Sequence, residues 1–491
     1  MPVNSFDDHP LSWTPSRAAL GDGPVYLALA AALEGDVRSG AVASGTRLPP
    51  QRELADFLDL DFTTVTRAYN VCREKGLIHG VVGKGTFVRP DVTDVTDGVV
   101  DCGVVQAFPE VGADEIVASA RAVLSRTSSA ALFLYRNREG SALSRAAGVA
   151  WLRRGGVDVD PSQMAVFPGA QGALSAALLS LFRVGDAVAA DEFTYANFIS
   201  LAKLAHLKLV PIPSDEGGMI PSALDDAAAK GRVRGVFLMP HCANPTARTL
   251  SERRKNALAK VVEERELLLI EDDASLAPPK RGERTFFARL PRRTVYISGT
   301  TRYISGGLRA TFMAYPAEHA NAILGALHHL AIKAGALDAE ILAEVVLSGR
   351  GERILRAKAK KARAANALFD KMFPSAPSAD CASPFRMLPL PGTSGMGLEI
   401  ERRCREKGVA VLHSDRFGIR AGNPKSFLRV SLSSAPSLPS LRRALRTISL
   451  LDPLQDFLKE RMRLEVFSKT LSESVSEKPI LRVRHKRGDQ S

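Results

Sequence analysis

The stretch 297-ISGTTRYISGGLR-309 lies between two apolar runs, one holding Val295 and Tyr296, the other Phe312, Met313 and Ala314. Apolar, polar and glycine-rich, then apolar again, the pattern reads as a strand, a turn and a strand. Its Gly-Gly-Leu-Arg ending suits a turn that holds an anion, because glycine lets the backbone approach closely and Arg309 supplies charge. The middle of the turn carries Thr301 and Arg302. What that inner cation can do depends on the segments folded beside it.

From about residue 115, helix-like and strand-like segments alternate for over 200 residues, which implies an α/β core with a mainly parallel sheet. Four strand ends in it carry chemistry. MAVFPGAQGALSAALLSLF (164–182) reads as strand, glycine turn and helix, and the backbone N–H groups at Gly169, Ala170 and Gln171 form a ready phosphate cradle. DEFTYANF (191–198) sets Tyr195 just past a strand, where its ring can stack on a planar ligand or simply pack. GVFLMPHCANPTARTLS (235–251) ends a strand near Asn244, a directional hydrogen-bonding group. ELLLIEDDASL (266–276) closes a buried strand with three carboxylates, of which Asp272 can sit under a pyridinium nitrogen and keep it protonated.

At 491 residues the chain is too long for one ordinary core, so two or more domains are expected. No segment approaches the roughly 18 unbroken apolar residues of a membrane span. The opening MPVNSFDDHPLSW is acidic and lacks the apolar centre of a secretory signal. Five cysteines, Cys72, Cys102, Cys242, Cys381 and Cys404, are scattered without a CxxC pair. That spacing argues against a disulfide framework and a metal site, and suits a reducing cytoplasm. The net charge of +13 allows a polyanionic partner without locating one, since residues 24–90 hold eight Lys/Arg against seven Asp/Glu.

Pattern, rather than charge, singles out those residues. Val25, Leu27, Leu29, Ala32 and Leu33 recur at helical spacing up to Ser39-Gly40; Pro50 introduces a short helix from Gln51 to about Leu58; a third helix spans Thr63 to Lys75. GLIHGVVGKGTFV then reads as two strands about a Gly-Lys-Gly turn, completing a winged helix-turn-helix. In that arrangement Thr63, Thr64 and Arg67 stand near the start of the helix that enters a major groove, and Arg52 reaches a phosphate or a base edge. The wing tip, Gly83, Lys84 and Gly85, lets backbone approach DNA. The stretches SGTRLPPQRELA, TTVTRAY, EKGLI and GKGTFV resemble the DNA-binding domain of the GntR family of bacterial regulators. A departure is Asp61-Phe62, where that family often has a small polar residue followed by a base-contacting polar or basic one.

The segments beyond residue 115, in their order, resemble the aminotransferase fold (fold type I), which binds pyridoxal phosphate (PLP). A GntR-like module joined to such a domain is the arrangement of the MocR-type regulators. The resemblance implies α/β architecture: an N-terminal winged helix-turn-helix, a large domain with a mainly parallel sheet, and a smaller α+β C-terminal subdomain. The expected boundaries are an arm at 1–23, the DNA-binding domain at 24–90, a linker at 91–114 and the aminotransferase-like domain at 115–452, with its large part at about 150–315 and its small part at about 320–452. A basic tail, 453–491, departs from the family. By the same resemblance, Gly169, Ala170 and Gln171 with Arg309 would hold the phosphate, Tyr195 would flank the ring, Asn244 would meet its phenolic oxygen and Asp272 its nitrogen. Arg429, in SFLRVSLSS, would take a carboxylate. Double-stranded operator DNA, a small-molecule effector and a second copy of the chain are the implied partners.

The family writes Ser-Lys about seven residues before the Gly-Leu-Arg arginine; counting back from Arg309 reaches Thr301 and Arg302. A Schiff base needs a neutral amine, whereas a guanidinium stays protonated, with a pKa above about 12. No catalytic residue is therefore assigned, and PLP, if bound, would be held without a covalent bond. Ser275, Ala247 and Gly306 replace the family's tyrosine, glycine and proline, and nothing in the pattern brings Lys280 to the cofactor. Three readings stand at this point: a regulator that senses PLP or another phosphate or carboxylate compound, with Arg302 as an extra anion-binding fork; a regulator with a purely structural dimerisation domain; and an aminotransferase bearing a DNA-binding appendage.

Overall fold

The computed structural model describes residues 11–15, 23–39, 41–43, 45–81, 83–89, 99–126, 129–132, 134–135, 137–231, 233–273, 283–379 and 382–451. Most of the arm expected at 1–23, the first part of the expected linker, the tail at 453–491, and Ser275 and Lys280 lie outside them. The chain divides into two compact units, Met1–Gly98 and Val99–Ser491.

The first unit contains α1 (Val25–Ser39), α2 (Gln51–Leu58) and α3 (Phe62–Glu74), followed by β1 (Ile78–Val81) and β2 (Gly85–Val88). Leu29, Leu33, Leu54, Leu58, Val65, Tyr69 and Ile78 recur on the inward faces and are buried together. Asp59 ends α2 in the left-handed region at φ 52°, and Asp61 caps α3 by accepting the Thr63 N–H at 2.7 Å. That cap sets the helix start at Phe62, one residue earlier than the apolar spacing suggests. β1 and β2 pair antiparallel from Ile78 opposite Val88 to Val81 opposite Gly85. Trp13, in the arm, is 5% exposed in the same core and donates its Nε1–H to Asp36 at 2.9 Å.

In the second unit a seven-stranded sheet takes β3 (Met164–Phe167), β4 (Ala187–Asp191), β5 (Lys208–Ile212), β6 (Val233–Leu238), β7 (Leu268–Asp273), β8 (Thr294–Ser298) and β9 (Thr311–Ala314) in the spatial order 3-9-8-7-6-4-5. β9 runs antiparallel to both its neighbours, and the other pairings are parallel. Near-continuous burial along β3, β6, β7 and β8 is what a sheet covered on both faces requires. A second sheet orders β10 (Phe385–Pro389), β12 (Phe427–Ser431) and β11 (Leu412–His413), antiparallel throughout.

The expected linker is not a linker in its second half. Val100 and Asp101 pair in parallel with Val409 and Ala410, the Phe108 N–H donates to the Ser433 carbonyl at 3.0 Å, and a helix begins at Ala113. A two-residue strand has too few residues to show a period, and its partner lies some 300 residues away in sequence.

In β6, Gly235 allows the Phe182 ring to lie where a side chain would project: an added Cβ would sit 2.5 Å from that ring and 2.8 Å from the Leu268 carbonyl oxygen. Gly235→Ala is expected to lower stability by about 1–3 kcal/mol in chemical denaturation, because a backbone neighbour cannot swing away. An unchanged midpoint would contradict this packing.

Candidate functional site

On the first unit, the residues expected at DNA are placed as follows. Arg52 is exposed at the second position of α2, and Arg67 is exposed one turn along α3. Thr63 is exposed, but its N–H and its hydroxyl both donate to Asp61, the latter at 2.5 Å, and these bonds hold the Asp61 carboxyl below its ordinary range. Thr64 is half-buried. Thr66, whose hydroxyl donates to Gln51 at 2.9 Å, ties α3 to α2. The wing tip turns through Gly83 (φ 74°) and Gly85 (φ 112°), with Lys84 exposed between them. Arg47 lies against the wing: a Cβ on Gly85 would be 3.0 Å from its Nε. Sequence reasoning passed over this cation, although it stands inside SGTRLPPQRELA.

On the second unit, the carboxyl ends of the parallel strands converge on a cavity of about 540 Å³. This edge is where open α/β sheets bind ligands, since helices beginning there present their N–H groups. Ala170, Gln171, Tyr195, Asn244, Asp272, Arg302, Arg309 and Arg429 line it. Gly169, at φ 72°, begins α4 (Gly169–Leu181) beneath the Arg309 guanidinium, and a Cβ there would be 2.5 Å from Nη2. The missing side chain lets Arg309 close over the helix start. Tyr195 precedes α5 (Ala196–Leu204), and its hydroxyl accepts from Asn197 at 3.1 Å. Asn197 is a lining residue that sequence reasoning did not select; its signal was only its place two residues after Tyr195.

Strand alternation sorts the three carboxylates at the end of β7. Glu271 is fully buried and accepts N–H bonds from Phe286 and Phe287, with its carboxyl pushed up to about 7 chiefly by burial. Asp273 accepts from Tyr296 at 2.6 Å and joins His241 at 3.2 Å; the far side of that ring meets the buried Lys255 ammonium at 3.0 Å. Asp272, between them, enters the cavity. Burial raises its carboxyl to about 6, the nearby Arg302 charge works against that rise, and Asp273 adds to it.

The turn that holds Arg302 is stiff. After β8 comes one helical turn, α6 (Thr300–Tyr303), then the glycines and β9. The Thr300 hydroxyl donates to the Ala310 carbonyl at 3.1 Å, and the Thr311 hydroxyl donates to the Ser298 carbonyl at 2.7 Å. Lys358, buried on α7 (Arg350–Met372), donates to the Ile304 carbonyl at 3.1 Å. Arg302 is half-buried, and its Nη1 is a buried donor with no hydrogen-bond partner among the described residues. The side chain of Thr301 lies outside the described residues.

Arg429, on β12, is 5% exposed and already engaged. Its Nη1 donates to Asn244 Oδ1 at 2.9 Å and its Nη2 to the Gly103 carbonyl, while Phe417 and Phe385 lie 4.9 and 5.8 Å from the guanidinium carbon. Nε has no partner, and burial followed by the like charge of Arg302 lowers the group to about 10. The cavity lining therefore carries three guanidiniums against one carboxylate, which suits an anionic ligand.

A mainly parallel sheet with its pocket at the carboxyl edge, a small antiparallel subdomain beside it, and a separate winged-helix unit together define a helix-turn-helix protein carrying an aminotransferase-fold domain. Residues 110–448 match the family model for aminotransferase class I and II, and residues 25–88 match that for bacterial regulatory proteins of the gntR family. The uncharacterized HTH-type transcriptional regulator YdeF of Bacillus subtilis is 30% identical over 464 residues, covering 92% of this chain and all of that protein. The probable rhizopine catabolism regulatory protein MocR of Rhizobium meliloti is 25% identical over 283 residues, covering 51% and 57%. Among solved structures, the α-aminoadipate aminotransferase LysN of Thermus thermophilus, complexed with a phosphopyridoxyl-leucine, superposes with a TM-score of 0.64 at 23% identity, over 77% of this chain and 95% of that one. The chain belongs to the aminotransferase class I and II family, as a gntR-type helix-turn-helix regulator fused to that domain.

Because Asp272 titrates near 6 rather than at its ordinary 3.8, its ionised form opposes folding. The sign follows: below about 3.8 the group is protonated in both states and costs nothing, the cost builds as pH rises from about 3.8 to about 6, and it stays level above that. Asp272→Asn is expected to raise stability by about 1–3 kcal/mol at pH 7.5 and to leave it nearly unchanged near pH 4, as read by urea denaturation at both values. A loss at pH 7.5 would mean that attraction to Arg302 outweighs burial.

Proposed function

We propose that the protein is a cytoplasmic transcriptional regulator that binds operator DNA as a homodimer and senses a small anion through its aminotransferase-like domain, without a covalent bond. The observation that carries this reading is Arg302. By the spacing from Arg309 it stands where the family's Schiff-base lysine would stand, and it lines the cavity on a turn pinned by Thr300, Thr311 and Lys358.

The residues present fit PLP in one respect and not in another. The α4 start with Arg309 suits a phosphate, and Asp272 and Tyr195 suit a protonated aromatic ring. Bound through a lysine, PLP acts as an electron sink. The described lining of this cavity holds three arginines and no lysine, and a guanidinium does not give up its proton to become a nucleophile. No reaction step is derived through the cofactor. The unpartnered donors of Arg302 and Arg429 call instead for acceptor oxygens on the ligand. PLP held by ionic contacts, an amino-acid adduct of it, or another phosphate-carboxylate compound meets that demand. Arg429 would need to exchange its bonds to Asn244 and Gly103 before it could grip a carboxylate in bidentate fashion.

Ligand binding would then change the affinity of the DNA-binding modules for the operator. A footprint of the full-length protein on the DNA upstream of its own gene, with and without PLP, tests this. The expected result is a protected site whose Kd changes about 5–150-fold at saturating PLP or an analogue that binds in the cavity, with the change lost in Arg302→Met. An operator Kd that no such ligand moves would leave the domain as a dimerisation scaffold.

A further inference from the structure

Phe62 opens α3, the helix whose first turn would enter the major groove, and it is 43% exposed. The rest of that helix start is polar. Thr63 is exposed beside it, and Asp61 before it spends its carboxylate on the Thr63 N–H and hydroxyl. An anionic cap at this point disfavours a phosphate, which makes a base edge the better-suited group for this helix start. The Arg52 guanidinium carbon lies 5.7 Å from the Phe62 ring centroid, and Arg52 makes no ion pair among the described residues. A guanidinium held near a ring by the attraction of its charge to the π face keeps N–H groups available to donate elsewhere.

Resting on the reading of the first unit as a DNA-binding module, we propose that Phe62 and Arg52 form one base-reading pair. The Phe62 ring packs on the C5-methyl of a thymine, the apolar group that base edges offer in the major groove. Arg52, steadied by the ring, donates two N–H groups to O6 and N7 of a neighbouring guanine. The position at which related modules often place a polar or basic residue thereby becomes a methyl reader. Specificity for a thymine next to a guanine follows in each half-site of a dimer.

The test uses full-length protein and a library of randomised duplexes. After selection, each thymine of the preferred duplex is replaced singly by uracil, which removes the methyl group alone. The expected result is one thymine per half-site at which uracil weakens wild-type binding about fourfold. Phe62→Ser should bind the thymine and uracil duplexes alike, Phe62→Leu should keep part of the difference, and Arg52→Ala should lose the adjacent guanine preference. Because Phe62 is exposed, an unchanged melting temperature certifies that the variants are folded. If a motif is selected but no uracil substitution distinguishes wild type from Phe62→Ser, the pair does not read bases. If no motif is selected at all, the DNA-binding reading falls and this inference falls with it.

Discussion

Arg302 and Asp272 share a cavity in which each feels the other's charge without forming a direct ion pair. Removing a guanidinium and a carboxylate from water is costly, and the cost is offset only when both find partners. Asp272 is left with its carboxyl raised to about 6, Arg302 with an unpartnered Nη1, and Arg429 with an unpartnered Nε and a guanidinium pKa lowered to about 10. Such a site leaves buried donors of Arg302 and Arg429 without protein acceptors among the described residues. A ligand that brings acceptor oxygens to those donors would stabilise the folded state.

The fold makes this arrangement by ordinary means. Parallel strands buried on both faces deliver their carboxyl ends, with the loops that follow, to one edge. Alternation along β7 turns Asp272 into the cavity and sends Glu271 and Asp273 to buried partners. Gly169 lacks a side chain where Arg309 must close over the helix. Lys358 reaches from the long helix α7 to the carbonyl of Ile304, so the turn bearing Arg302 is hydrogen-bonded from both sides. Ala247, at a place where relatives would have glycine, is buried in the left-handed region at φ 57°.

Much of this was legible in the chain itself, for reasons that can be stated residue by residue. The three helices and the wing of the first unit follow from apolar spacing and from Ser39, Pro50 and the wing glycines. The strand-end motifs identify most of the cavity lining because each joins an apolar run to a polar turn. What escaped had no local signature. The pairing of Val100 and Asp101 with Val409 and Ala410 is long-range and brief. Trp13 joins the core of the first unit from an arm with no periodicity. The inward bonds of Arg429, which occupy two of its nitrogens, depend on Gly103 and Asn244 arriving from distant segments. Lys358 lies in a helix rich in lysine and arginine, where nothing in composition separates the buried one from its solvated neighbours.

The cavity's lining of three arginines and no lysine suits a ligand held by charge and shape alone. The most direct measurement incubates wild-type protein and Arg302→Lys with PLP, reduces both with borohydride, and weighs the denatured chains by mass spectrometry. Peptide mapping is expected to find no pyridoxyl group on a cavity residue of the wild-type chain and one fixed to the introduced lysine. A pyridoxyl group fixed to any cavity residue of the wild-type chain would contradict it.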